Sequence, residues 1–262
     1  LYYSAFLFAK GKLMLAMESV SVQIDGSLLL RDVSYVFPEG STTVIIGGSG
    51  SGKSLMLKTA ACIRPPEAGK VLWNGKDIQK IHDDQLTQMR RRWGFMFQDS
   101  ALWANMSVYE NLALVQRFHF PNRSEEDISR RISDLAEEMG FAEDLGERPA
   151  AFSAGLQKVV SFMRAAINEP HLLFLDEPST FVDRYSFKPI VERLKRFRQQ
   201  GRTIIMVTHN VELARGIGDH LVIMKKGSCI ASGAMADVLN STKPEVQREI
   251  EESFQQGEQN EV

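Results

Sequence analysis

The stretch GGSGSGKS, Gly47 to Ser54, has the residue types and spacing to hold phosphate. It follows the apolar run TVII and precedes SLMLKTAA, so the chain reads as strand, glycine loop, helix. Gly47, Gly48, Gly50 and Gly52 let backbone amides close around phosphate oxygens where a Cβ would obstruct them. Ser49 and Ser51 complete the loop, and the helix opening near Lys53 turns its positive end toward the same anion. Lys53 can set a compact ammonium on β and γ phosphates, and the Ser54 hydroxyl suits Mg2+. Such a loop calls for a buried strand ending in an acid that approaches the metal through its water shell. HLLFLDEP supplies one. Asp176 would serve the metal, and Glu177 would face the γ phosphate and orient or deprotonate an attacking water.

Further motifs occur in a fixed order. Gln98 stands in FMFQDS, FSAGLQK spans Phe152 to Lys158, Asp183 ends STFVD, and His209 follows the apolar run IIMV in IIMVTHN. From about Val20 to Leu239 the chain resembles the ATP-binding subunits of ABC transporters. The resemblance implies ATP and Mg2+ as ligands and ATP hydrolysis as the reaction. It makes Gln98 the glutamine that touches Mg2+ or the lytic water, His209 the switch histidine at the γ phosphate, and Asp183 the aspartate of the loop after the acidic pair. FSAGLQK resembles the family signature LSGGQ, in which Ser153 and the amides around Gly155 open a helix that meets a γ phosphate. Within one chain that surface is expected to face away from the phosphate loop, so two copies arranged head to tail would close two ATP sites. This chain departs from the pattern at Phe152, Ala154 and Leu156, and no aromatic stands near Ile24 where one often stacks on adenine.

Within the family, QDSALWANMSVYENLAL, DEPSTFVD and the region after His209 are most similar to the ATPase of Mla-type phospholipid transporters. That likeness implies permease subunits as partners, an MCE-type lipid-binding protein, a small STAS-domain regulator, and a place at the cytoplasmic face of the inner (plasma) membrane. Trp103 either packs within its subdomain or faces the permease. The departures in the signature motivate a rival reading, an ATP-dependent regulatory or interaction module with little hydrolysis. An importer or exporter ATPase for another cargo is the other alternative.

These groups need a scaffold. Thr43 to Ile46, Leu172 to Leu175, Ile204 to Val207 and Leu221 to Met224 are apolar without alternation, as strands covered on both faces are. Helix-period segments such as Phe187 to Gln200 lie between them, which predicts an α/β fold with a parallel sheet. The family resemblance makes this a P-loop NTPase (RecA-like) core with an antiparallel β subdomain. Lys226 and Gly227 between two apolar runs predict a tight hairpin. The stretch from about Ser100 to Ile167 reads as a helical insert, with helix starts at Ser107 (Glu110 following) and Ser124 (Asp127 following). The expected organisation is an extension over residues 1–14 and one ATPase domain over 15–239. Its core spans 15–98 and 168–239, with a helical subdomain at about 99–167. The tail over 240–262 is acidic and polar in its last dozen residues and reads as frayed, although relatives use this segment to reach the other ATPase subunit.

The 262 residues carry 31 Lys and Arg against 33 Asp and Glu, a formal charge of -2, which argues against holding nucleic acid by phosphate neutralisation. Arg90, Arg91 and Arg92 read as a solvated helix end or a contact to acidic residues of a partner. The two cysteines, Cys62 and Cys229, have neither metal-ligand spacing nor a disulfide pattern, which fits a reducing compartment. No run reaches the length of a bilayer-spanning helix, and the opening LYYSAFLFAKGKLMLAM lacks the basic segment of a signal peptide.

Overall fold

The computed structural model describes residues 13–260, with side chains over 15–255. Most of the extension expected over residues 1–14 therefore lies outside the described residues. Two sheets form the body. The first is antiparallel, in the order β2 (Ser27–Pro38), β1 (Leu13–Ile24), β4 (Ala68–Trp73), β5 (Lys76–Asp77). The second has the order β10 (Ser228–Ala234), β9 (His220–Lys225), β3 (Thr42–Ile46), β8 (Thr203–Val207), β7 (Leu172–Asp176), β6 (Trp93–Met96). Its strands from β9 to β6 are parallel, and β10 returns antiparallel through the turn at Lys226 and Gly227, both with positive φ.

The unalternated apolar runs are strands sandwiched between two cores. Val44 and Ile46 enter one cluster and Ile45 the other; Leu173 and Leu175 oppose Leu172 and Phe174 in the same way. The side-chain period of two sends neighbours to opposite faces, and both faces are covered. One core lies under α1 (Lys53–Ala60) and the antiparallel sheet. The other receives the helical segment α3 (Val108–His119), α4 (Glu125–Glu138) and α5 (Ala154–Ala166), together with α6 (Arg184–Gln199).

Ser107 and Glu110 form the reciprocal cap at the start of α3, and the Ser124 hydroxyl accepts from the Asp127 N–H at the start of α4. The short helix α2 (Asp83–Arg90) ends at the arginine run, with Arg91 and Arg92 exposed. After α7 (Val211–Ile217) and α8 (Met235–Leu239) the chain does not fray. It forms α9 (Pro244–Asn260), whose Val246, Ile250 and Phe254 are buried. That corrects the expectation for residues 251–255. Apolar groups four apart make one helix face, and a polar composition says nothing about that stripe once a groove exists to receive it. Residues 261–262 lie outside the described residues. Among the described residues, no helix is long and apolar enough to cross a membrane.

Candidate active site

The strand order β3, β8, β7, β6 sets their C-terminal ends side by side. Along that edge stand the loop Gly47–Ser54, then His209, then Asp176 and Glu177, then Gln98. Ligands of open α/β sheets collect at such an edge.

The glycine loop joins β3 to α1, the strand, loop and helix order that the sequence predicts. Gly47 has φ 152°, and a Cβ there would collide with the carbonyl oxygen of Met224. Gly52 caps α1 without a side chain, leaving the first amides of the helix available to a ligand. Lys53 is 8% exposed, and its Nζ donates to the carbonyls of Gly47 (2.7 Å) and Gly48 (3.0 Å). Burial lowers its pKa, opposed by Glu177, Asp176 and Glu249. The Ser54 hydroxyl donates to Asp176 Oδ1 at 2.8 Å, joining the loop to β7.

Asp176 is fully buried, and its Oδ2 has no hydrogen-bond partner. Burial pushes its carboxyl above the ordinary value, against the Ser54 hydrogen bond and the charges of Lys58, Lys158 and Lys53. Glu177, 6% exposed, has a left-handed backbone (φ 53°), an uncommon state for a residue with a Cβ. Burial raises its carboxyl too, while His209 and Lys53 oppose the shift. The His209 N–H donates to Glu177 Oε2 at 3.2 Å, and His209 Nε2 lies 3.2 Å from Glu177 Oε1. A cleft of about 1080 Å³ meets the row only at Glu177 and His209; it runs between α6 and α7, past Phe187, Val191, Leu213 and Ile217, and no residue of Gly47–Ser54 lines it.

Gln98 is exposed, and its side chain does not join the row by a hydrogen bond among the described residues. Its carbonyl instead accepts from Lys158, as does that of Phe97 at 3.3 Å. Lys158 is 2% exposed, and burial lowers its pKa against Asp176, Glu177 and Asp99. The sequence offered Lys158 only as the end of a signature match. Its position inside a helix with a small-residue start was the available signal, and burial could not be seen from it.

Ser153 caps α5, its hydroxyl accepting from the Leu156 N–H at 3.3 Å, and is exposed with Ala154. No hydrogen bond joins Ser153 to residues 47–54 among the described residues. Gly155 is buried, and a Cβ there would strike the carbonyl of Phe181. Asp183 caps α6 through the N–H groups of Tyr185 (2.9 Å) and Ser186 (3.0 Å), and those backbone bonds, Ser186 first, hold its carboxyl low. Phe181 (73%) and Tyr185 (87%) stand exposed around it. Ile24 is half-buried, and Trp103 is 55% exposed on a loop pinned by buried Asn111. Asn111 accepts from the Trp103 N–H (2.8 Å) and donates to the carbonyls of Trp103, Met106 and Ser107.

One residue was not foreseen at all. Glu249 on α9 accepts from the Gly48 N–H at 2.8 Å.

Residues 30–180 match the family described as "ABC transporter". The chain is 33% identical over 233 residues to a molybdate/tungstate import ATP-binding protein of Pyrococcus horikoshii, covering 88% of this chain and 65% of that one. It is 32% identical over 215 residues to a methionine import ATP-binding protein of Yersinia pestis bv. Antiqua, covering 82% and 62%. The chain thus spans just under two thirds of the length of these curated relatives. Among solved structures, the dimeric ATP-binding cassette MJ0796, bound to ADP and Pi in a post-hydrolysis state, superposes with a TM-score of 0.78 at 28% identity, covering 85% of this chain and 99% of that one. An ATP-binding subunit of an ABC transporter also gives 0.78, at 25% identity, covering 91% and 99%. The chain belongs to the ABC transporter family and has the fold of its ATP-binding cassettes.

Proposed function

We propose that this chain is the ATP-hydrolysing, nucleotide-binding subunit of an ABC transporter, working as a head-to-tail pair on separate permease subunits at the cytoplasmic face of the inner (plasma) membrane. The observation that carries this reading is the row along one sheet edge: a glycine loop with buried Lys53, then His209 against Glu177, then Asp176 tied to Ser54. In it, amides of the loop Gly47 to Ser54 other than that of Gly48, whose N–H is held by Glu249, bind the triphosphate together with the Lys53 ammonium. Glu177 takes the proton of the attacking water; a carboxyl raised by burial is the better base near neutral pH. His209 faces the γ phosphate, and Gln98 relays the state of the site toward the permease.

Mg2+ suits these residues. Asp176 Oδ2 is a buried acceptor without a partner beside the Ser54 hydroxyl. Among the described residues no group of three or more His, Cys, Asp or Glu could hold a metal by itself, in keeping with an ion shared with phosphates. Ser54, Asp176 and Gln98 would hold it, and its chemistry there is neutralisation of phosphate charge.

Each site would be completed by Ser153, Gly155 and Asp183 of a second copy. In favour are the exposed cap of α5 and the exposed Phe181 and Tyr185 beside Asp183. Mixing two defective chains tests this. Lys53→Ala spoils a phosphate loop and Ser153→Arg spoils a signature, so a mixed pair retains one intact composite site. Mixing should restore a substantial part of the Mg2+-dependent phosphate release. No restoration would refute the shared site, and release by Ser153→Arg alone at the wild-type rate would do the same.

For the cargo we assign phospholipid, from the likeness of residues 98–114 and the stretches around Asp183 and His209 to Mla-type ATPases. An MCE-type lipid-binding protein and a STAS-domain protein are the partners that assignment brings. Exposed Trp103, on a loop held by Asn111, supports a permease contact. A small solute is the second reading, favoured by relatives named for methionine and for molybdate or tungstate import. Isolation of the complex from native membrane decides between them: bound phospholipid and an MCE-type subunit support the first, a solute-binding subunit the second.

A further inference from the structure

Helix α9 reaches this site from far outside residues 30–180. Buried Val246, Ile250 and Phe254 set the rotation of the helix, and that rotation brings two polar groups to the catalytic edge. Glu249, 4% exposed, accepts from the Gly48 N–H at 2.8 Å and lies 3.5 Å from Lys225 Nζ. One turn on, the carbonyl of fully buried Ser253 lies 2.9 Å from His209 Nδ1. A backbone carbonyl can only accept, so Nδ1 carries the proton. In the neutral ring Nε2 is then bare, and Nε2 is the atom that faces Glu177.

We propose that α9 is a positioning element of the ATPase site, in which Glu249 steadies the entrance of the phosphate loop through Gly48 and the Ser253 carbonyl holds His209 in its Nδ1–H form. The proposal rests on the roles of Glu177 and His209 given above. Gly48 is held at both ends, its N–H by Glu249 and its carbonyl by Lys53. A loop with four glycines has much freedom to lose on binding, and a charge-assisted hydrogen bond made beforehand removes part of that cost. Among the described residues no ion pair joins Glu249 to Lys53, whose ammonium remains on the loop carbonyls.

The test compares phosphate release over a MgATP titration for the full chain and four variants: Glu249→Leu, Glu249→Gln, Glu251→Gln and Glu177→Gln. Glu249→Leu removes the acceptor and should lower kcat/KM about tenfold or more, chiefly by raising KM. Glu249→Gln keeps an acceptor oxygen and should recover most of that loss. Glu251→Gln, exposed on the same helix, should match the wild type. A rise in kcat/KM with Glu249→Leu, or equal losses for Leu and Gln, overturns the proposal. In imidazole 15N spectra of the wild type at mildly alkaline pH, with the signal assigned by its loss in His209→Gln, Nδ1 of His209 should be protonated; a protonated Nε2 overturns it too. Undiminished turnover in Glu177→Gln would instead defeat the underlying assignment of the site.

Discussion

Replacing Glu177 by Gln changes one proton-accepting oxygen and almost nothing else. The side chain is 6% exposed, and its two oxygens face the N–H and Nε2 of His209 at 3.2 Å each. An amide fits both positions: its oxygen accepts from the N–H, and its NH2 donates to a bare Nε2. Binding should therefore survive, with ATP affinity within about threefold of wild type, while loss of a general base lowers kcat by roughly 100-fold or more. Stability should respond with a definite sign. Burial raises the folded-state pKa of Glu177. Its contribution is then fully present below the unfolded value and is lost as pH rises through the folded value. The neutral amide escapes that loss. The variant should melt at or above the wild type at mildly alkaline pH, and the gap should narrow on acidification toward the ordinary carboxyl range of about 4.3. Phosphate release, nucleotide titration and melting curves across pH read these out. Wild-type turnover would refute the catalytic role, and a variant that melts well below wild type at alkaline pH would refute the account of the buried charge.

Lys53→Ala should weaken ATP binding about tenfold to a hundredfold, measured by calorimetry, because it removes a charged donor from the phosphate loop. Gly155→Ala should cost about 1–3 kcal/mol in urea unfolding and slow turnover, since the new Cβ meets the Phe181 carbonyl behind Asp183. Asn111→Ala takes the side-chain partner from the Trp103 N–H and the Met106 carbonyl, while the Trp103 and Ser107 carbonyls keep the N–H groups of Met106 and residue 111; it should cost about 1–3 kcal/mol and speed hydrogen exchange around Trp103, while ATP binding by the isolated chain persists.

Much of the site could be read in advance because its chemistry is local. Gly47 to Ser54 is one contiguous loop whose conformation depends on missing Cβ atoms, so spacing alone conveys its shape. The same holds for the cap at Ser107, where partners three residues apart meet in any helix, and for the doubly buried strands, whose apolar runs state their own environment. Asp176 and Glu177 were legible as the end of such a strand.

What lay beyond the sequence were contacts between segments distant along the chain. Lys158 looked like the close of a helix motif, and only the packing of α5 against β6 buries its ammonium below Gln98. The C-terminal residues read as a polar tail because their charge is plain, whereas their apolar stripe acquires meaning only against a groove built from other elements. Glu249 meets Gly48 across 201 positions of chain. Short-range pattern encodes conformations that a few neighbouring residues stabilise on their own; a carboxylate's partner at long range is set by how sheets and helices stack, and that depends on the whole core at once.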